Sequence, residues 1–241
     1  APRSYVETNI VGTLNVIQAA RKFDIKKVVH TSTSETYGSA QKVPINESHP
    51  LVGQSPYAAT KVAADQMALA FNKSFDLPVS ILRPFNTFGP RQSARAVIPT
   101  VIGQIASGER RIALGSLHPT RDFVFVGDTA RGFRQVLNCA ACVGQVTNIG
   151  TGFEISIADT VDLISEAMGV SVEVVIDEMR ERPKESEVDR LVACTAKAIE
   201  LFGWSPKYVG KDGLFNALAL TIEWFENPAN LSRYKTSLYN T

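Results

Sequence analysis

Apolar positions along this chain follow two rhythms, a helical stripe with a period near 3.6 and short continuous apolar runs, and their order predicts an architecture. In SYVETNIVGTLNVIQAARKFD, the residues Ile10, Val11, Leu14, Ile17 and Ala20 fall on one stripe, which predicts a covering helix. KKVVHTS follows as a buried strand. SPYAATKVAADQMALAFNKSF is then a long helix, with Ser55 as its N-cap and Pro56 in the first helical position. PVSILRPFN is the next strand. Strand, long helix, strand is a βαβ unit, and such units build parallel sheets with right-handed crossovers.

Beyond Gly89-Pro90 the elements shorten. Helices are predicted in AVIPTVIGQIASG, GDTARGFRQVL, ISIADTVDLISEAMG and GLFNALALTIEWF, and strands in RIALG, RDFVFV, QVTNIG and SVEVVI. The fold class expected is α/β: a Rossmann-like parallel sheet with helices on both faces, plus a smaller C-terminal α/β lobe that holds substrate. Residues 1–90 would belong to the first unit, and 91–241 mainly to the second, with some segments returning to the sheet. DEMRERPKESEVDR is the one long charged stretch and reads as a solvated surface loop. A sheet of this kind normally opens with a strand, a glycine-rich turn and a helix. No such fingerprint is found here, so the N-terminal strands and the phosphate cradle are expected to lie outside the sequence.

Composition narrows the function classes. The 241 residues are 44% hydrophobic and 20% charged, and 25 basic against 24 acidic residues give a net charge of +1. That balance offers no general footprint for nucleic acid or an anionic membrane surface. No apolar run approaches the roughly 18 residues of a spanning helix, so a cytoplasmic location is the expectation. Cys139-Ala-Ala-Cys142 has redox-motif spacing, but it ends an apolar stretch without a second pair or a histidine cluster. It reads as helix-end packing, and no metal is expected.

The candidate chemistry lies where the first strand ends. Tyr57 and Lys61 stand four apart, so they share a helix face, and a lysine ammonium beside a phenol favours phenolate. Thr33, Ser34 and Glu35 lie at the carboxyl end of the preceding strand, where parallel sheets place their ligand crevice. Together with NIVGTLNVIQAAR, HTSTSETYG, SPYAATKVAADQM, LRPFNTFGPRQ, PTRDFVFVGDTARGF and NIGTG, these residues resemble the nucleotide-sugar-modifying branch of the extended short-chain dehydrogenase/reductases, over essentially the whole chain.

That resemblance implies an NAD cofactor, with Tyr57 as the catalytic base and Lys61 supporting it while binding the nicotinamide ribose. Pro84 would also lie at the cofactor, and Asn9 would position the active-site network. It implies a nucleotide-sugar substrate whose diphosphate meets Asn86, Arg91 and Arg121, with Arg95 and Arg182 as further candidates. A homodimer formed through residues 5–23 and 56–75 is implied as well.

Glu35 stands where simple C4 epimerases usually carry small or hydroxyl residues. In the 4,6-dehydratases that the chain resembles, Tyr57 takes the 4-hydroxyl proton as hydride leaves C4 for NAD. Glu35 then removes H5, water leaves C6 and the hydride returns there. Ser34 replaces the aspartic acid of the TDE motif of dTDP-glucose dehydratases, which leaves the acid for the leaving hydroxyl open. GDP-mannose dehydratases and UDP-glucuronate decarboxylases share a TSE-like arrangement. FNTFGPRQSARAVIPT and LGSLHPTRDFVFVGDT look closest to dehydratases acting on UDP- or GDP-linked N-acetylglucosamine in the legionaminic-acid pathway. The alternatives are a UDP-glucuronate decarboxylase, a nucleotide-sugar 4-epimerase, and a nucleotide-sugar-binding module without turnover.

Overall fold

The structure, a computed structural model, describes residues 2–180 and 183–234. The chain opens with helix α1 (Pro2–Tyr5), one π-helical turn over Val6–Val11, and helix α2 (Gly12–Lys22). The π turn adds a residue to the helical count and rotates the stripe that follows it. The single stripe read from the sequence is therefore broken: Ile17 and Ala20 are buried, whereas Val11 is 45% exposed.

Strand β1 (Val28–Thr31) runs into a 3₁₀ turn over Ser34–Tyr37, and helix α3 (Pro56–Phe75) follows. Ser55 caps α3 as its sequence predicts, Oγ accepting from Ala58 N at 3.1 Å, and Pro56 occupies the first turn, where no N–H is needed. The helix stops at Asp76, which adopts the left-handed conformation with φ 53°. Its small buried residues Ala58, Ala64 and Ala68 let it lie close to the strands beneath.

Strand β2 (Val79–Pro84) is the buried centre of the main sheet. PVSILRPFN does not remain one strand. Phe85 N still donates to Ile149 O, but Asn86 N turns to Asp122 O, and β3 (Asn86–Phe88) joins a second sheet. The remaining elements are α4 (Val97–Ala106), β4 (Arg111–Leu114), β5 (Thr120–Arg121), β6 (Phe123–Phe125), α5 (Val126–Asn138), β7 (Val146–Ile149), β8 (Ile155–Ser156), α6 (Ile157–Ala167), β9 (Glu173–Ile176), β10 (Arg190–Leu191), α7 (Ala196–Phe202), α8 (Gly210–Glu226) and α9 (Pro228–Leu231).

The main sheet is parallel throughout, in the order β1-β2-β7, with Val28 opposite Val79 and Ile81 opposite Val146. Strands β3 and β6 pair in parallel, as do β4 and β9, while β5 lies between parallel β10 and antiparallel β8. One core cluster gathers Ile98, Ile102, Ile164, Leu218 and Phe225 between α4, α6 and α8. Another packs Leu82, Phe85, Val136, Ile149 and Trp204 around β2, β7 and α5.

Cys139 and Cys142 sit where helix-end packing puts them, in the turn that follows α5. All three thiols are free, Cys142 is fully buried, and burial together with neighbouring Cys139 pushes its thiol up to about 12. Among the described residues no cluster could hold a metal ion, and no helix is long and apolar enough to cross a membrane.

Candidate active site

The site begins where β1 runs out. Exposure alternates from there: Ser32 and Ser34 are buried, while Thr33 and Glu35 are half-exposed on the other side of the chain. Thr33 caps the 3₁₀ turn, its Oγ1 accepting from Glu35 N at 3.3 Å, and Thr36 Oγ1 donates to Thr33 O at 2.8 Å. These local bonds give the polar stretch a defined shape at the carboxyl end of a parallel strand, the usual ligand crevice of such sheets.

Tyr57 reaches this edge from the first turn of α3, where its phenol shares a hydrogen bond with Thr33 and feels the Glu35 carboxylate. Tyr5 packs edge-on against it, with ring centroids 5.7 Å apart. Burial first, and the Glu35 charge second, hold the Tyr57 phenol above its ordinary value, with the Thr33 bond partly opposing them. The Tyr57–Lys61 spacing in the sequence predicts a lowered phenol. Instead, the Lys61 ammonium donates to the Thr31 carbonyl, and burial lowers its own pKa against the pull of Asp65. Thr33, Glu35, Tyr57 and Lys61 are thus brought to one crevice, whereas Ser34 is sealed at 2% exposure. Asn9, in the π turn, does not reach that crevice directly. Its Nδ2 donates to Thr60 Oγ1 at 3.0 Å, and Thr60 in turn donates to the Tyr57 carbonyl at 2.8 Å, so Asn9 braces the turn that carries the phenol.

The donor set fits one end of a dinucleotide. An ammonium and a phenol hydroxyl on successive turns of one helix, at the edge of a parallel strand, suit a ribose diol and the ring attached to it. Pro84, ending β2 beside this edge, is half-buried. No glycine-rich phosphate cradle occurs among the described residues, so those present would hold the nicotinamide ribose end.

Below the crevice lies a buried polar network that the sequence reading missed. Asp65, one turn beyond Lys61, accepts at Oδ2 from Ser32 Oγ (2.6 Å) and Arg83 Nη2 (2.7 Å). Arg83 Nε also donates to Ser32 Oγ at 3.1 Å, and His30 Nε2 lies 3.2 Å from Asp65 Oδ1. The Arg83 guanidinium stacks over the Tyr37 ring at 4.7 Å, and the Tyr37 hydroxyl donates to Asn148 Oδ1 at 2.8 Å. Burial pushes the Asp65 carboxyl up, but the His30, Arg83 and Ser32 contacts together outweigh it and hold the group below its usual range. The network ties α3 to β1 and β2 at the level of the crevice. Its signal in the sequence is a polar side chain inside each apolar run, His30 in VVHTS and Arg83 in ILRPF.

The proposed substrate residues are placed less uniformly. Asn86 begins β3, and its Oδ1 is buried without a hydrogen-bond partner among the described residues. Arg91 is exposed and takes a left-handed conformation, φ 68°, in the turn after β3. Arg95 is exposed further along the same segment. Arg121 is largely buried, its Nη1 donating to the Thr120 carbonyl at 2.9 Å and its Nη2 lying 3.4 Å from Glu187 Oε1. Glu187 comes from the charged stretch read as solvated surface. That stretch instead forms two 3₁₀ turns, over Glu178–Arg180 and Lys184–Ser186, and supplies a partner to a buried arginine that a lone charge could not do without. Arg182 lies outside the described residues.

Comparison with known proteins agrees with this geometry. The family model for GDP-mannose 4,6 dehydratase matches residues 1–216. A low-salt glycan biosynthesis protein of Haloferax volcanii is 35% identical over 210 residues, covering 87% of this chain and 66% of its own. The crystal structure of a dTDP-glucose 4,6-dehydratase from Streptomyces venezuelae with NAD bound superposes with a TM-score of 0.84 at 28% identity, covering 98% of this chain and 70% of that one. A UDP-N-acetylglucosamine 4-epimerase from Methanobrevibacter ruminantium gives a TM-score of 0.82 at 28% identity, covering 93% and 71%. The chain spans about two thirds of the length of the curated relatives it matches. A family match over residues 1–216, joined to a tyrosine, a lysine and a carboxylate gathered at the end of a parallel strand, establishes that the chain belongs to the GDP-mannose 4,6-dehydratase family of extended short-chain dehydrogenase/reductases.

Proposed function

We propose that the full-length protein is an NAD-dependent nucleotide-sugar 4,6-dehydratase that converts a UDP- or GDP-linked N-acetylhexosamine to its 4-keto-6-deoxy form. The observation that carries this reading is the Glu35 carboxylate, set close enough to Tyr57 to raise its pKa and half-exposed on the same side of the chain as Thr33. A reaction confined to C4 needs one base. A carboxylate beside it is a second base and serves a second proton, the one at C5 that becomes acidic once C4 is a carbonyl.

In this scheme Tyr57 accepts the 4-hydroxyl proton through an oxygen fixed by Thr33, and because burial and Glu35 hold its phenol up, its phenolate would need the cationic nicotinamide of NAD beside it. NAD, held at its ribose by Tyr57 and Lys61, would supply the reversible hydride chemistry. Glu35 takes H5. Protonated by that step, it is also the acid at hand for the departing C6 hydroxyl, a role that buried Ser34 is poorly placed to fill. Asn86, Arg91 and Arg121 would meet the diphosphate, where amide donors and guanidinium forks suit phosphate oxygens. The N-acetylhexosamine assignment rests on the resemblance of the segments around Arg91 and Arg121. A second copy packed on residues 5–23 and 56–75 is supported by exposed Val6, Val11 and Val16 in the first of these segments.

The test is Glu35→Gln in the full-length protein, which keeps shape and hydrogen bonding while deleting the proton acceptor. Oxidation at C4 should still begin, so reduced cofactor absorbance should accumulate with little 6-deoxy product. Dehydration at the wild-type rate would reject Glu35 as the base.

A further inference from the structure

The turn that carries Arg91 is held by the far end of the chain. Arg91 sits at φ 68°, a conformation that residues other than glycine adopt at a cost and keep only where their surroundings enforce it. Three contacts enforce it here. Gly89, at φ 149°, presses so closely on Val126 that an added Cβ would meet its Cγ1 at 2.5 Å. Gln92 Nε2 folds back to donate to Thr87 O at 2.9 Å. The third contact comes from 142 residues away, where the Tyr234 hydroxyl donates to the Gln92 carbonyl at 3.0 Å. Tyr234 is itself anchored: its ring meets Trp224 at 6.0 Å and fully buried Phe225 at 4.9 Å, both on the last turns of α8. Beyond Gln92 the segment is secured again, by Thr100 Oγ1 donating to the Ala94 and Ala96 carbonyls.

We infer that Tyr234 is a positioning residue for nucleotide binding: the C-terminal segment, wedged on α8, latches the Gly89–Gln92 turn so that Arg91 is presented in one conformation. The inference rests on the proposed diphosphate role of Arg91. Its physical basis is preorganisation, since an exposed arginine on an unsecured turn would have to be ordered at the moment of binding, at the expense of affinity. Tyr234 does not touch the reacting atoms, so it should act on substrate affinity and leave the chemical step alone.

The experiment is a binding cycle on the full-length protein with UDP and GDP as probes, read by titration calorimetry, together with steady-state kinetics on the nucleotide sugar. Tyr234→Phe keeps the ring on Trp224 and Phe225 and removes only the hydroxyl. It should weaken binding of the preferred nucleotide by about three- to tenfold, the ratio one hydrogen bond is worth. KM should rise in step, with kcat changed less than about twofold. In an Arg91→Ala background the same substitution should have no further effect, because the latch works through that side chain. Wild-type affinity in Tyr234→Phe, or equal losses with and without Arg91, would overturn the latch alone. Failure of the wild-type protein to bind either nucleotide would overturn both the latch and the nucleotide-sugar reading beneath it.

Discussion

Asp65→Asn tests the buried network that sets the catalytic helix on the sheet. Asp65 is 0% exposed and Arg83 is 2% exposed, so the substitution strands a guanidinium in the interior with its main counter-charge gone. Breaking one side of such a pair typically costs about 3–5 kcal/mol. Asparagine still offers an oxygen to Ser32, which places the expected loss near the lower end, about 3 kcal/mol. Urea denaturation at neutral pH, followed by circular dichroism, measures it directly. The double variant Asp65→Leu/Arg83→Met removes both charges and should recover most of the loss. Acid supplies a second check. The folded carboxyl titrates below its ordinary value of about 3.9, so its contribution is complete above that pH and is lost as pH falls through the folded value. The gap between wild type and Asp65→Asn should therefore close below about pH 4. A single-variant loss under about 1 kcal/mol, a double variant as damaged as the single, or a gap that widens in acid would refute the reasoning.

Tyr57→Phe keeps the ring against Tyr5 and deletes the hydroxyl, so the full-length variant should bind nucleotide sugar normally and show no C4 oxidation by cofactor absorbance. Turnover comparable to wild type would remove Tyr57 as the base. Arg121→Ala should raise KM for the nucleotide sugar with little change in kcat, because the diphosphate does not change charge during the sugar chemistry. The loss of a buried charged contact puts the effect on the order of 2–5 kcal/mol of binding. A fall in thermal stability with unchanged affinity would instead assign Arg121 to its pair with Glu187.

The parts of this fold legible in the sequence are those specified by local chemistry. Ser55 and Pro56 mark the start of α3 because a cap and a proline act within one turn, and the four-residue spacing of Tyr57 and Lys61 fixes a shared face without help from the rest of the chain. What escaped depends on distant partners. The π turn over Val6–Val11 leaves no mark in an apolar count, yet it exposes Val11. Whether Asn86 continues β2 or leaves it depends on Asp122, 36 residues further on. Helix α7, at seven residues, is too short for a periodic stripe to stand out. The direction of the Tyr57 shift was misjudged because spacing reveals that Lys61 is near, and not that its ammonium is committed to the Thr31 carbonyl. Asp65 went unnoticed among alanines, although the arginine in ILRPF already required a buried partner.

The central claim is that Glu35 adds a proton transfer at C5 to the chemistry at C4, and the product formed in heavy water tests it most directly. Full-length protein supplied with NAD and nucleotide-linked N-acetylglucosamine should give a product lighter than its substrate by one water, with a single deuterium at C5, placed there when the abstracted proton is replaced from solvent-exchanged groups. Mass spectrometry and proton NMR read both features in one sample. A product of unchanged mass, inverted at C4 and free of deuterium at C5, would contradict the account and assign the protein to epimerisation.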